Sequence, residues 1–249
     1  MAIVWQEKHN GTLYQVRSAG KTLRLYTDNV LHSQFNPNKK VTGSVWDLLF
    51  LPALCRQSDK PLRILVLGVG GGAVIHMLNE FLSCEKIIGI ELNPIHIKIA
   101  KKYFSLSAEN IELVEADAIS WVGNGIENRT GKFDIIIDDL FFEEDNEPVK
   151  VAAPNATWFY NLYSLLKPNG LIIMNFVGRK SAMLAAPLYD DHVAKLLPNT
   201  LHFTTPYYDN HVLAFSKQAL DSKAVRQKIN QHENLRMLKK YLRFSCRSL

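Results

Sequence analysis

Residues 61–94, PLRILVLGVGGGAVIHMLNEFLSCEKIIGIELNP, constrain the fold of this 249-residue chain more than any other stretch. Residues 64–67 form a short apolar run of the kind found in a parallel strand covered on both faces. Gly68, Gly70, Gly71 and Gly72 follow at once. Lacking Cβ atoms, they let the backbone turn sharply and bring N–H groups against a ligand at a helix N-terminus. Val74, Met77, Leu78 and Phe81 then recur at helical spacing, residues 87–90 form a second apolar run, and Glu91 stands at its end. An acid about 20 residues beyond such glycines can accept both hydroxyls of a ribose. Glycine turns also join strands to helices without any ligand, and Gly68 to Ala73 fits a dinucleotide fingerprint equally well. Adding Glu91 and the strands downstream favours a nucleotide-type cofactor site.

The later chain continues the alternation. Pro94 opens a helix to Tyr103, residues 111–114 form a third strand, and Asp117-Ala118 follow it. Residues 133–137 form a fourth strand ending on Asp138-Asp139, with an acidic loop at 143–147. A helix carrying Trp158, Phe159 and Leu162, a fifth strand at 171–176, a helix at 192–197 and strands at 201–204 and 211–215 complete the core. Before the glycine unit, residues 4–35 read as an antiparallel hairpin sheet with turns at 18–21 and 28–29. Thr42 or Ser44 caps a helix running from Trp46 toward Leu54. The expected fold is α/β, a doubly wound and mostly parallel Rossmann-like sheet with a small N-terminal antiparallel β-domain. Its units are residues 1–58, 59–219 and a basic C-terminal helix over 220–249.

Composition narrows the function classes. With 47% hydrophobic residues the chain can bury one large core. Asp47 interrupts the most apolar stretch, the start lacks the features of a signal peptide, and Cys55, Cys84 and Cys246 are odd in number and far apart. The expectation is a cytoplasmic protein without membrane span, disulfide framework or metal site. His76, His96 and His192 read as helix-surface residues. From Asp221 onward eight bases face two acids, a net of +6 against +5 for the whole chain, so the body is close to neutral. The apolar residues Val225, Ile229, Leu235, Leu238 and Leu242 predict an amphipathic helix there. It packs on the body or on a sister subunit of a homodimer, or alternatively offers its bases to RNA or another polyanion.

The segments ILVLGVGGGAV, GIELNP, VEADA, FDIIIDD and LLKPNGLII make the chain similar to the spermidine synthase (aminopropyltransferase) family, within the class I S-adenosylmethionine-dependent methyltransferase fold. The resemblance spans roughly residues 12–217. It implies an S-adenosylmethionine or decarboxylated S-adenosylmethionine donor, with Gly68, Gly70 and Gly72 against the sulfonium arm and Glu91 on the ribose. Asp117 would accept from the adenine amino group, with Ala118 near the ring. Asp139 takes the position of the family's catalytic aspartate, with Asp138 beside it as second candidate. Four departures stand out: Gly71 and Phe142 replace acids of the family, Ser44-Val45-Trp46 stand where its Tyr-His-Glu element falls, and His32 stands in for its glutamine.

Those departures favour methyl transfer. An acid at position 71 would attract the amine of the decarboxylated donor, whereas glycine there leaves helix-start N–H groups for a carboxylate. Aminopropyl transfer to a cationic amine, with the 143–147 acids lining the acceptor site, is the alternative. A cofactor-binding scaffold without catalysis is the third reading. Catalysis in either enzyme reading needs alignment of a nucleophile and a carboxylate to take its proton.

Overall fold

The computed structural model describes residues 1–56, 58–123, 131–144 and 147–249. The chain opens with an antiparallel meander of β1 (Ala2–His9), β2 (Thr12–Ala19), β3 (Thr22–Thr27) and β4 (Val30–Phe35). Its turns fall where Asn10-Gly11, Gly20 and Asp28-Asn29 take positive φ, a conformation that glycine and asparagine tolerate best. Helix α1 (Val45–Phe50) is anchored through Asp47, whose carboxylate accepts from the Thr42 N–H and hydroxyl and the Gly43 N–H at 2.6–2.8 Å. Ser44 occupies the cap position without a side-chain bond. Leu48, Leu49 and Phe50 are buried in the core of the large sheet.

Next come β5 (Leu62–Leu67), α2 (Ala73–Phe81), β6 (Cys84–Glu91), α3 (Pro94–Tyr103), β7 (Ile111–Glu115), α4 (Ala118–Gly123) and β8 (Phe133–Asp138). The four strands are parallel, in the spatial order β8-β5-β6-β7. Every residue of β8 is buried, as a strand with helices on both faces requires. A hairpin of β9 (Phe141–Glu144) and β10 (Glu147–Lys150) stands where the sequence suggests an acidic loop. Its tip, residues 145 and 146, lies outside the described residues. Then follow α5 (Ala156–Ser164), β11 (Leu166–Val177), α6 (Arg179–Ala182), α7 (Asp191–Leu196), β12 (Asn199–Thr205) and β13 (Tyr208–Ser216). Strand β11 joins β8 in parallel and β13 in antiparallel pairing. The chain thus reverses its direction of travel across the sheet between β5 and β8, the position where open α/β sheets form a crevice beyond their strand ends.

The tail corrects the expectation of one helix. It forms α8 (Ser222–Gln231), α9 (Glu233–Leu238) and a final strand β14 (Ser245–Ser248) on the free edge of β12. Ile229 and Leu235 stand six steps apart, about 120° around a straight helix, so a single helix would bury both only with a wide apolar face. A break at His232, extended and capping the Leu235 N–H with its ring, brings them to the same core. Val225, Ile229, Leu235 and Leu242 are all buried there, while Lys223, Arg226, Lys228, Arg236, Lys239 and Lys240 are exposed. A separate apolar cluster ties the meander to α3: Tyr14, Val16 and Leu25 pack with Ile95, Ile99 and Phe104. Among the described residues, no helix is long and apolar enough to cross a membrane.

Candidate active site

A cleft of about 560 Å3 lies beyond the C-terminal ends of β5, β6 and β8, with β4 and α1 as its far wall. Four parallel strands stop side by side, so the residue following each one meets the others across the crevice. Gly68, Gly70, Glu91, Asp117, Ala118 and Asp139 all line it.

The glycine turn is held in two ways. Gly68 and Gly70 have φ of +82° and +54°, and a Cβ would stand 2.4 Å from the Asp139 carbonyl and 2.8 Å from the His32 carbonyl respectively. Close approach of β8 on one side and β4 on the other therefore requires glycine at both positions. Glu91 fixes the turn electrostatically: one carboxylate oxygen accepts from the Val69 and Gly70 N–H groups at 3.0 and 2.8 Å, the other from the Asn93 N–H at 2.9 Å. Three of the roughly four acceptor positions of a carboxylate are thereby filled.

Gly71 and Gly72 do not line the cleft. A Cβ on Gly71 would meet the Phe104 ring at 2.3 Å and the Ser33 Cβ at 2.8 Å, and one on Gly72 would meet Leu106 at 2.4 Å. Both serve the packing of α2 against β4 and α3. The start of α2 is also covered, since the Ala73 N–H donates to the Ser33 hydroxyl at 3.2 Å.

The two adjacent aspartates point apart, as alternation at a strand end demands. Asp138 is fully buried, accepting from the Lys150 ammonium at 2.9 Å, the Trp158 indole N–H at 2.8 Å and the Leu140 N–H at 3.2 Å. It does not line the cleft, whereas Asp139 does. Asp139 faces the cleft and accepts from the Asn175 amide at 2.8 Å. Burial pushes its carboxyl up to about 6, against the opposing pull of the Asn175 hydrogen bond and the Lys150 charge. Asp134, at the start of β8, instead binds Arg56 and Lys167 at 2.9 and 2.7 Å. Asp117 lines the exposed end of the cleft and also caps α4 through the Ser120 N–H at 2.8 Å.

The structure adds residues that sequence reasoning did not place here. Asn175 lies in the apolar run of β11, and Asn210 donates to its carbonyl oxygen at 3.2 Å. A polar residue inside such a run was the available signal. His96 is buried rather than on a helix surface. It bonds the Thr27 hydroxyl at 2.8 Å, and its ring lies 4.9 Å from that of His32. Burial lowers both histidines to about 4, so both are neutral at pH 7. Tyr207 and Tyr208 lie outside the cleft, although Asp209 and Asn210 beside them line it.

The resulting lining is acidic. Glu91, Asp117, Asp139 and Asp209 border the cleft, and no lysine or arginine does among the described residues. Its volume suits a nucleoside-sized ligand, the strand-end acids suit hydroxyl donors, and the lining suits positive charge. A sulfonium donor of the adenosyl type therefore fits the residues present.

Comparisons with known proteins agree. A family model described as methyltransferase domain matches residues 58–239. The eEF1A lysine and N-terminal methyltransferase of Danio rerio is 25% identical over 144 residues, covering 56% of this chain and 21% of that protein. The polyamine aminopropyltransferase of Chromobacterium violaceum is 29% identical over 121 residues, covering 48% and 44%. The chain thus spans less than half the length of these curated relatives. In fold, a probable spermidine synthase from Corynebacterium glutamicum superposes with a TM-score of 0.71 at 14% identity, over 96% of this chain and 94% of that one. The chain belongs to the methyltransferase-domain family, as a spermidine-synthase-like member of the class I S-adenosylmethionine-dependent methyltransferase fold.

Proposed function

We propose that this chain transfers a methyl group from S-adenosylmethionine to an amine, with Asp139 accepting the amine's proton. Asp139 carries this reading: a carboxylate at the switch point of the sheet, pushed up to about 6 and held by Asn175. A general base works best with a pKa near the working pH. Glu91 and Asp117 would hold the nucleoside end of the donor. When bound, a sulfonium donor supplies an activated carbon and its own leaving group. Asn175 fixes the carboxylate of Asp139 and is itself held by Asn210, so the base needs little reorganisation to meet the acceptor. The acidic lining draws in a protonated amine and favours it over anionic competitors. Asp139 takes one proton from the ammonium, which frees the nitrogen lone pair to attack the activated carbon as the thioether departs. The relatives named for lysine methylation and for aminopropyl transfer both act on amines, which supports this acceptor class.

Methyl transfer is favoured by Gly71, where Phe104 and Ser33 leave no room for the acid of the aminopropyltransferases. The helix-start N–H groups expected to receive the donor carboxylate are not open to the cleft, because Ser33 caps Ala73. That observation, with the lack of lysine or arginine in the described lining, favours a second reading: aminopropyl transfer from the decarboxylated donor. Incubation with each donor and a panel of polyamines and lysine peptides, followed by mass spectrometry, separates the two. Methyl transfer yields S-adenosylhomocysteine and an amine heavier by one methylene. Aminopropyl transfer yields methylthioadenosine. Release of neither product across the panel would overturn both and leave the scaffold reading.

A further inference from the structure

Strand β4 has a second concavity behind it. Val30, Leu31 and His32 line the active-site cleft, whereas Gln34, Phe35 and Asn36 line a separate pocket of about 450 Å3. Three cations border that pocket, Arg24, Lys39 and Lys40, each half-buried. Lys40 pairs with Glu80 at 3.3 Å. Among the described residues, no carboxylate lies within ion-pair distance of the other two. Arg24 meets only the Gln34 amide oxygen at 3.5 Å and the Met1 sulfur at 3.2 Å. Lys39 sits 4.2 Å from the centre of the Tyr241 ring. The Asp47 carboxylate, which accepts from Thr42 and Gly43, lies near enough to attract the Lys39 charge, though beyond ion-pair contact.

Two partly exposed cations on one concavity, with no carboxylate in direct contact, leave room for an anion to complete the site. A guanidinium fork beside two ammonium groups matches the oxygens of a phosphate, with Arg24 supplying directed donors and the lysines point charge. The pocket also has a flat wall, where Phe35 and His76 stack with centroids 4.4 Å apart. His76 Nε2 is buried there without a hydrogen-bond partner. The volume falls within the range of about 300–1,000 Å3 typical of small-molecule sites.

We propose that this pocket binds a phosphorylated small molecule of nucleotide size, at a site separate from the donor cleft. Arg24 and Lys39 hold the phosphate, and the Phe35–His76 wall takes the planar part.

Calorimetric titration of the full chain with inorganic pyrophosphate and with AMP tests this, beside the double variant Arg24→Gln/Lys39→Gln. Saturable one-to-one binding of both probes is expected, with AMP the tighter. The double variant should weaken both at least tenfold while leaving its melting temperature and its affinity for S-adenosylhomocysteine unchanged. Absence of binding, or equal binding by the variant, would overturn the proposal. A further arm uses single-stranded RNA. If RNA displaces AMP, and its own affinity falls steeply with salt and with exchange of the tail bases Lys239 and Lys240, the surface serves a polymer and the small-ligand proposal fails.

Discussion

Asp138 and Asp139 are neighbours in sequence, yet the structure assigns them opposite responses to loss of charge. Exchange of Asp138 for alanine strands the Lys150 ammonium, whose side chain is 8% exposed, and leaves the buried Trp158 indole N–H without its acceptor. Removing one partner of a buried ion pair costs about 3–5 kcal/mol. At about 2–4 °C per kcal/mol for a chain of this size, the melting temperature should fall by roughly 6–20 °C. Asp139→Asn is different. Burial pushes its carboxyl up to about 6 in the folded state, against about 3.9 for a free aspartate, so the folded state binds the proton more tightly. Ionisation of Asp139 therefore destabilises the fold progressively as pH rises from about 3.9 to about 6, and fully above that. Asparagine removes this penalty, and the Asn175 amide can still donate to its carbonyl oxygen. At pH 7 the variant should be as stable as the parent or more so, by on the order of 1–3 kcal/mol. Its transfer rate should drop by about 10²–10⁴, the usual contribution of a positioned general base. Thermal and urea denaturation followed by circular dichroism, beside a turnover assay, measure both quantities. An Asp138→Ala variant as stable as the parent would refute the assignment, as would an Asp139→Asn variant that loses stability but keeps its rate.

Three further outcomes follow from the same geometry. The transfer rate should rise with pH through about 6 as Asp139 loses its proton, and a rate flat from pH 5 to 7.5 would remove it as the base. Gly71→Ala should destabilise by about 1–3 kcal/mol through overpacking against the buried Phe104; a neutral result in denaturant titration would show that an acid can be accommodated there. Deleting residues 221–249 uncovers the core around Val225, Ile229, Leu235 and Leu242. At about 1.5–3 kcal/mol per side chain that loss rivals the whole stability of a domain, so the product should be insoluble or unfolded, and a soluble, cooperatively melting truncation would contradict this packing.

The strand ends of the parallel sheet were legible because each has a local signature. β5 and β8 each hold a short apolar run, residues 64–67 and 135–137, the glycines end the first, and acids close β6 and β8. Since parallel strands must end side by side, Gly68, Glu91, Asp117 and Asp139 had to converge. Which glycines face a ligand was not legible, because Gly71 and Gly72 are required by Phe104 and Leu106, residues more than 30 positions away. His96 escaped for a similar reason: a histidine on an amphipathic helix looks solvent-facing until the N-terminal sheet covers it. Strand β14 carries almost no local signal, since Ser245 to Ser248 extend only because the edge of β12 offers partners. Asn175 was the missed cue, a polar residue that a buried strand keeps only with hydrogen-bond partners such as Asp139 and Asn210.

The central claim is that the cleft between β5 and β8 receives an adenosyl sulfonium donor. Isothermal titration of the full chain with S-adenosylmethionine, its decarboxylated form and S-adenosylhomocysteine, repeated with Glu91→Ala, tests it most directly. The account predicts one-to-one binding of S-adenosylmethionine and S-adenosylhomocysteine. It also predicts a loss in the variant of at least about 1.5–3 kcal/mol, or roughly tenfold or more in Kd, from the acceptor position Glu91 has left for the ribose and from release of the glycine turn its other bonds hold. Heat-silent, displacement-silent titrations with all three compounds, or undiminished affinity without Glu91, would contradict it.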